Sequence, residues 1–327
     1  MQEKVDKENT PVLLFGFNRP FHTKKTLDSL SNCYEANKIQ LIAFIDGPRR
    51  ASEKYKVENV KKIIKSYSGK FKNIEIHSSS SNKGCDSSIR DGINEAFKSY
   101  ERIIVLEDDI IVGKNFYKSM DKALKNNDNE KRIFQINAFN FNVPKLINKK
   151  NLNKFFLFRV QFTWGWGTWK DRWMLMQNDP LSQDPYFLME SMSDQDRKFF
   201  NLDGIYNCWN QVAHNIDGSL DNTWDIFWHV FIARNNGLCL TPYFSMTKNI
   251  GCDGSGTHCS QDDNLILSSE VNHSFVHEIP DKIEEDQYII NLIKKRLKYV
   301  KIYNLPSRLI RKLMKIFRNI TKKFLCL

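Results

Sequence analysis

The stretch from Ile103 to Leu106 is an unbroken aliphatic run that stops abruptly at Glu107, Asp108 and Asp109. A short β-branched run with no polar residue to face water fits a strand buried on both faces, the kind found inside a parallel sheet. Carboxylates are poor strand formers and costly to bury unpaired. The junction therefore predicts a strand that delivers three acids to a crevice at its C-terminal edge, where open α/β sheets bind ligands. Hard oxygen donors in that position suit Mg2+ or Mn2+, with a nucleotide diphosphate completing the shell. A solvated acidic turn is the plainer alternative.

The flanking sequence repeats the motif of strand, polar turn and helix. Apolar runs predict strands over 12–17, 40–45, 73–76 and 132–137. Apolar residues at helical spacing predict helices over 23–30, 53–67, 87–100 and 114–125. Such alternation at short spacing is the mark of a wound α/β sheet. The first strand ends in Asn18-Arg19-Pro20 and the second in Asp46-Gly47-Pro48. Three strand ends carrying polar clusters on one edge make a stronger case for a site than any one of them.

Beyond Asn140 the character changes. A basic, Asn-rich loop over 145–154 precedes a run containing Trp164, Trp166, Trp169 and Trp173, with Gly165 and Gly167 between them. Tryptophans this dense read either as an aromatic wall for a sugar ring or as a core joining two subdomains. A helix is expected from Trp224 to about Asn235, with Asp225 in its first turn, where the helix dipole favours an ionised acid. A strand follows at 238–241. The glycine-rich stretch 249–259 is a lid or a long turn, and it carries His258, which on its own would be an exposed loop residue.

Net charge matters only once it is located. The chain carries +11, yet from Gln287 to Leu327 there are twelve Lys and Arg and no Asp or Glu. The body is thus close to neutral, and the basic balance does not point to nucleic acid. Pro306 divides the tail. In its second part Ile310, Leu313, Met314, Phe317, Ile320 and Phe324 fall on one side of a helix and seven basic residues on the other. A helix of that kind reads as an interfacial binder of an anionic membrane, or as a helix packed on the body with its basic face in water. No stretch is apolar enough for a transmembrane helix, and the charged first ten residues do not form a signal peptide. Seven scattered cysteines without a Cys-x-x-Cys pair fit a reducing compartment.

Taken together, these features resemble nucleotide-sugar-dependent glycosyltransferases of the GT-A fold, among them bacterial polysaccharide and lipopolysaccharide glycosyltransferases and the N-acetylglucosaminyltransferase I type. Glu107-Asp108-Asp109 matches the acidic DXD motif of that fold in its Glu-Asp-Asp form. Phe17-Asn18-Arg19-Pro20 resembles the first nucleotide-contacting turn and Asp46-Gly47 the second. Ser81-Asn82-Lys83-Gly84 resembles an Asn-x-Gly loop near the nucleotide. The Trp-Gly-Trp-Gly-Thr-Trp run and the Gly-Ser-Gly-Thr-His loop resemble those of the bacterial enzymes.

The resemblance covers roughly residues 10–260 and implies a wound, mostly parallel sheet flanked by helices, to which the charge pattern adds the amphipathic helical tail. The expected organisation is a nucleotide-sugar-binding half over 1–140, an acceptor-side half of the same catalytic domain over 141–286, and the basic tail over 287–327. The activity it implies is metal-dependent and inverting. A hexosyl or N-acetylhexosaminyl group would pass from a nucleoside diphosphate sugar, a UDP-sugar first among them, to a glycan or lipid-linked acceptor in cell-surface polysaccharide synthesis. Asp109 and His258 would ligate Mn2+ or Mg2+. Phe17, Arg19, Asp46, Asn82, Lys83, Glu107 and Asp108 would line the donor site. Asp225 would be the general base, and Trp164, Trp166 and Trp224 would wall the acceptor or sugar. The expected location is cytoplasmic, peripheral on the inner face of a bacterial membrane. Two other readings remain: a sugar-phosphate nucleotidyltransferase, disfavoured because only Gly16 of a glycine-rich first loop is present, and a non-catalytic, membrane-associated carbohydrate-binding protein.

Overall fold

The computed structural model describes residues 8–179, 191–205, 224–251, 253 and 270–303. Its centre is one eight-stranded sheet in the order β3-β2-β1-β4-β8-β6-β9-β7. The strands are β1 (Val12–Gly16), β2 (Gln40–Ile45), β3 (Asn73–Ser78), β4 (Arg102–Glu107), β6 (Ile133–Asn137), β7 (Phe155–Phe158), β8 (Trp166–Trp169) and β9 (Leu238–Pro242). The first four pair in parallel, as their apolar runs predict. The sheet then continues through the second half of the chain, so both halves share one core.

Period-two alternation sends side chains to opposite faces. Val12, Leu14, Leu41, Ala43, Ile104 and Leu106 enter one apolar cluster, while Leu13, Phe15, Ile42, Ile103 and Val105 enter another. Helices α1 (Pro20–Ser31), α2 (Lys54–Ser66) and α4 (Phe116–Asn126) cover the first face. Helices α3 (Cys85–Ala96), α5 (Lys170–Gln177) and α7 (Trp224–Arg234) cover the second. A short α6 (Asp194–Phe200) opens with a Ser193–Asp196 capping box.

The tryptophan-rich run forms the antiparallel β8, slotted between β4 and β6. Gly165, at φ +83°, makes the turn into it, a conformation that side chains with a Cβ rarely adopt. After β4 the chain turns at Asp108 and Asp109 into β5 (Ile110–Val112), which pairs with β10 (Thr247–Asn249) in a separate ladder.

Helix α8 (Gln287–Tyr303) is the described part of the basic tail. It packs on the body through Ile289, Ile290, Ile293 and Leu297 against Phe139, Phe156 and Phe158. A buried ion pair, Arg159 to Glu285, fixes the chain just before it, and Lys294 pairs with Asp203. The second tail segment, 307–327, lies outside the described residues, and no described helix is long and apolar enough to cross a membrane.

Helix packing buries a histidine in the core, with a consequence for stability. His229 is 2% exposed on α7 and its ring lies 4.3 Å from that of Phe200. Burial pushes its pKa down to about 3, opposed in part by the Phe200 backbone. An unfolded histidine takes up its proton near pH 6.5. Between those values the unfolded chain binds a proton that the folded one refuses. Stability from this group is therefore full above about pH 6.5 and lost as the pH falls toward 3. Melting temperatures taken from pH 7.5 to 4 are expected to fall more steeply in the wild type than in His229→Phe. Parallel profiles would remove His229 as the cause.

Candidate active site

Four elements bring polar groups to one end of the sheet. Residues 17–19 leave β1 and enter α1, whose first residue, Pro20, needs no N–H partner. Arg19 sits at the cap of that helix and turns back over the end of β4. Its guanidinium bonds Asp108 through one nitrogen and reaches Asp109 Oδ2 at 2.9 Å through another. The Phe17 N–H also donates to Asp108 Oδ2, at 3.4 Å, and the Thr26 hydroxyl donates to the Asp108 carbonyl at 2.9 Å. Asp108, 2% exposed, is thus the tie between the first turn and the acid run.

Charge at this point is out of balance. Burial pushes the Glu107 carboxyl well above the usual carboxylate range; Asp109 and Asp108 add to the rise, Arg19 opposes it, and Asp225 adds again. Burial likewise lifts Asp108 to about 6 against the pull of Arg19. Burial works against the charge on Arg19, but Asp108 and Asp109 more than offset it, and its proton is held tighter than usual. Asp225, in the first turn of α7, is close enough for its charge to act on Glu107. The sequence offered no signal for Cys85. It opens α3 with an exposed side chain, and partial desolvation of the sulfur, then the Glu107 and Asp225 charges, push its thiol up.

Other expected site residues are already engaged. The Asp46 carboxylate accepts from the N–H groups of Gly47, Lys83 and Gly84 at 2.8, 2.9 and 3.0 Å, and from Asn82 Nδ2 at 2.7 Å. Asp46 and Asn82 thereby knit the second and third strand ends together, which uses the acceptor capacity that a nucleotide would want from Asp46. Lys83 turns its ammonium outward to Asp91 at 2.7 Å. Phe17 carries the Arg49 guanidinium over its ring at 5.0 Å, an aromatic–cation surface that the sequence did not reveal. Of the tryptophans, Trp166 has no exposed surface and stacks on Trp224 at 5.3 Å within the second apolar cluster. Both act as core, because β8 lies in mid-sheet. Trp164 is partly buried and packs edge-on to Phe139 at 4.7 Å, which leaves it as the candidate for a sugar wall. His258 lies outside the described residues.

The donor set fits a hard divalent ion in kind, since buried carboxylates outnumber the single guanidinium beside them. Among the described residues no three Asp, Glu, His or Cys side chains stand close enough to hold an ion as placed.

The ladder of β5 with β10 brings a further chain to the acids. The Ile250 N–H donates to the Asp109 carbonyl at 2.9 Å. At Gly251 a Cβ would fall 2.1 Å from Asp109 Oδ2 and 3.1 Å from an Arg19 nitrogen, so only glycine fits. Gly251→Ala must displace that carboxylate, and a shift of about an ångström at a reacting centre costs about a hundredfold in rate. A steady-state assay is expected to show that loss; a wild-type rate would mean that the Asp109 position is not critical.

Residues 22–176, just under half of the chain, match the model for glycosyltransferase family 25 (LPS biosynthesis protein). This stretch includes the acid run and β8 but not Arg19 or Asp225. A comparison with curated proteins finds no match. Among solved structures, S. aureus TarS 1–349 is 9% identical, with a TM-score of 0.41 over 75% of this chain and 61% of that one. A mannosyltransferase from Pyrobaculum calidifontis, PcManGT, solved with GDP-Man and Mn2+, is 10% identical, with a TM-score of 0.39 over 70% of this chain and 69% of that one. The chain spans 20% of the longer S. aureus TarS structure, with a TM-score of 0.30 and 13% identity. Just under half of the chain thus matches a glycosyltransferase family model, and the fold that carries it is mixed α/β around a mostly parallel sheet.

Proposed function

We propose that this chain is a glycosyltransferase of polysaccharide or lipopolysaccharide biosynthesis, metal-dependent and inverting. On this reading it moves a sugar from a nucleoside diphosphate sugar, a UDP-sugar first among candidates, to a glycan or lipid-linked acceptor. The observation that carries the reading is the meeting of Arg19, from the first strand–helix turn, with Asp108 and Asp109 at the end of β4, with Asp225 in the first turn of α7 near enough for its charge to reach Glu107. Asp109, with Asp108 beside it, would hold Mn2+ or Mg2+, which when bound neutralises charge growing on the departing nucleoside diphosphate.

The protein's own groups do the rest. Phe17 and Arg49 offer a stacking face for a base, while Asp46 and Asn82 keep the strand ends in register around it. Trp164 offers an edge to a sugar. Asp225 takes the proton of the acceptor hydroxyl as it attacks from the side opposite the leaving group, which inverts the anomeric carbon. The expected result in a thermal-shift screen is that one class of nucleoside diphosphate stabilises the protein with Mn2+ present and much less without it. Its sugar conjugate should then be consumed with release of the free nucleotide. Stabilisation by glycans with no nucleotide turnover would favour the carbohydrate-binding reading.

The same reading extends to the tail. Helix α8 turns Tyr288, Lys295, Lys298 and Tyr299 outward, so a basic, aromatic face precedes the amphipathic stretch 307–327. Tyrosines and lysines together suit a headgroup layer, and each basic group near an anionic surface contributes about 1 kcal/mol. We place the enzyme on the cytoplasmic face of a bacterial membrane. The full chain is expected to sediment with anionic liposomes, less so as salt rises, while a chain cut after Leu305 stays in solution and still transfers sugar to a soluble acceptor. Equal sedimentation of the two would show that the segment past Leu305 is not the anchor.

A further inference from the structure

The carboxylates at the end of β4 are not waiting open. The Arg19 guanidinium spans them, with one nitrogen on Asp108 and another 2.9 Å from Asp109 Oδ2. Both acids are nearly buried, and Gly251 closes over the Asp109–Arg19 contact. A guanidinium holds carboxylates in a planar fork, which orients them toward its own nitrogens rather than toward one point. That agrees with the finding that no described acids converge on a single ion position.

We propose that Arg19 is the resident counter-cation of the acid run and competes with the divalent ion for Asp109. The ion is then admitted only with a donor diphosphate, which draws Arg19 off the carboxylate and takes its charge. The inference rests on the reading of Asp109 as a metal ligand and adds to it an order of binding. In the donor-free protein Arg19 holds Asp109 in place and the ion binds poorly. In the donor complex the same guanidinium faces a diphosphate oxygen, and the acid is released to the metal. Arg19 is thus a specificity-determining residue that ties metal uptake to the presence of nucleotide.

The test titrates the full chain with Mn2+ alone, read by loss of the free-ion electron paramagnetic resonance signal. Arg19→Met is expected to bind Mn2+ about tenfold to a hundredfold more tightly than wild type, the range expected for loss of a competing charged hydrogen bond. Adding Asp109→Asn should erase that gain. Arg19→Lys, which keeps the charge but concentrates its donors on one nitrogen and lacks the planar fork, should lie between. Melting temperature gives a second readout: Arg19→Met leaves buried acids unpaired and should melt earlier, and Mn2+ should restore it by more than it shifts wild type.

Arg19→Met binding Mn2+ no better than wild type would overturn the competition, as would a gain that survives Asp109→Asn. A parallel titration with UDP or GDP present separates the two ideas. Nucleotide-dependent Mn2+ binding that Asp109→Asn abolishes keeps the metal reading even where the competition fails. No Mn2+ uptake by any variant with either nucleotide removes both.

Discussion

Replacing Asp109 with asparagine is expected to lower transfer by about a thousandfold or more, the scale seen when charge stabilisation at a leaving group is lost. The fold should survive. Asparagine has the same shape, its carbonyl can still accept from Arg19, and the Ile250 N–H bonds the backbone rather than the side chain. Calorimetry should show nucleotide binding that no longer responds to Mn2+, with a melting temperature near wild type. Full activity would remove Asp109 from the chemistry. Asp108→Asn should behave differently. Asp108 is the more buried of the two and ties Phe17 and Arg19 to the end of β4, so its loss should cost stability as well as rate.

Asp225→Asn is expected to lower kcat by about a hundredfold to ten-thousandfold, the usual contribution of a general base. Donor affinity should change little, because the base acts on the acceptor. Helix α7 is well anchored for this role: the Trp228 indole N–H donates to Gln135 Oε1 at 2.7 Å, and Gln161 Nε2 donates to the Asp225 carbonyl at 3.2 Å. Those bonds do not involve the Asp225 carboxylate, so the substitution should leave the helix in place. A collapse of donor binding would move Asp225 to the nucleotide side. A product of retained anomeric configuration, read by NMR, would exclude it as the base for an inverting attack.

Strands β1, β2 and β4 were legible because each is a run of largely buried aliphatic side chains closed by a polar turn, and the edge strand β3 because its apolar residues alternate with polar ones. Strand β8 was not. Glycine and tryptophan in alternation carry no strand signature, and what makes Trp166–Trp169 a strand is its place between β4 and β6. The three-residue ladder of β5 and β10 is too short to leave a pattern in the sequence, yet it brings Gly251 to Asp109.

At the site, residue type announced chemistry but not direction. Arg19 and the acids meet as their positions at strand ends suggested. Asp46 lies at its strand end as well, but its carboxylate is taken up by the loop of Asn82 to Gly84, a contact between segments far apart in the chain. Lys83 turns away to Asp91 for the same kind of reason: the nearest acid on α3 lies outward. A single sequence carries no record of such pairings.

The ladder of β5 and β10 bears on how enzymes built this way could be rewired. The Asn272 N–H donates to the Ser245 carbonyl at 2.7 Å, so the chain that leaves at Ser245 comes back to the same spot. Ser245 and Asn272 therefore stand side by side, and residues 246–251, which leave from there, are hydrogen-bonded beside Asp109. A segment with closed, structured ends can be exchanged or resized without disturbing the register of the sheet that carries it. Cassettes from related sequences, spliced after Gly251 and before Asn272, would keep the contact with Asp109 while replacing the intervening stretch. A single transplantation there would test whether the stretch next to the acids sets which substrate is taken, with the sheet itself left as it is.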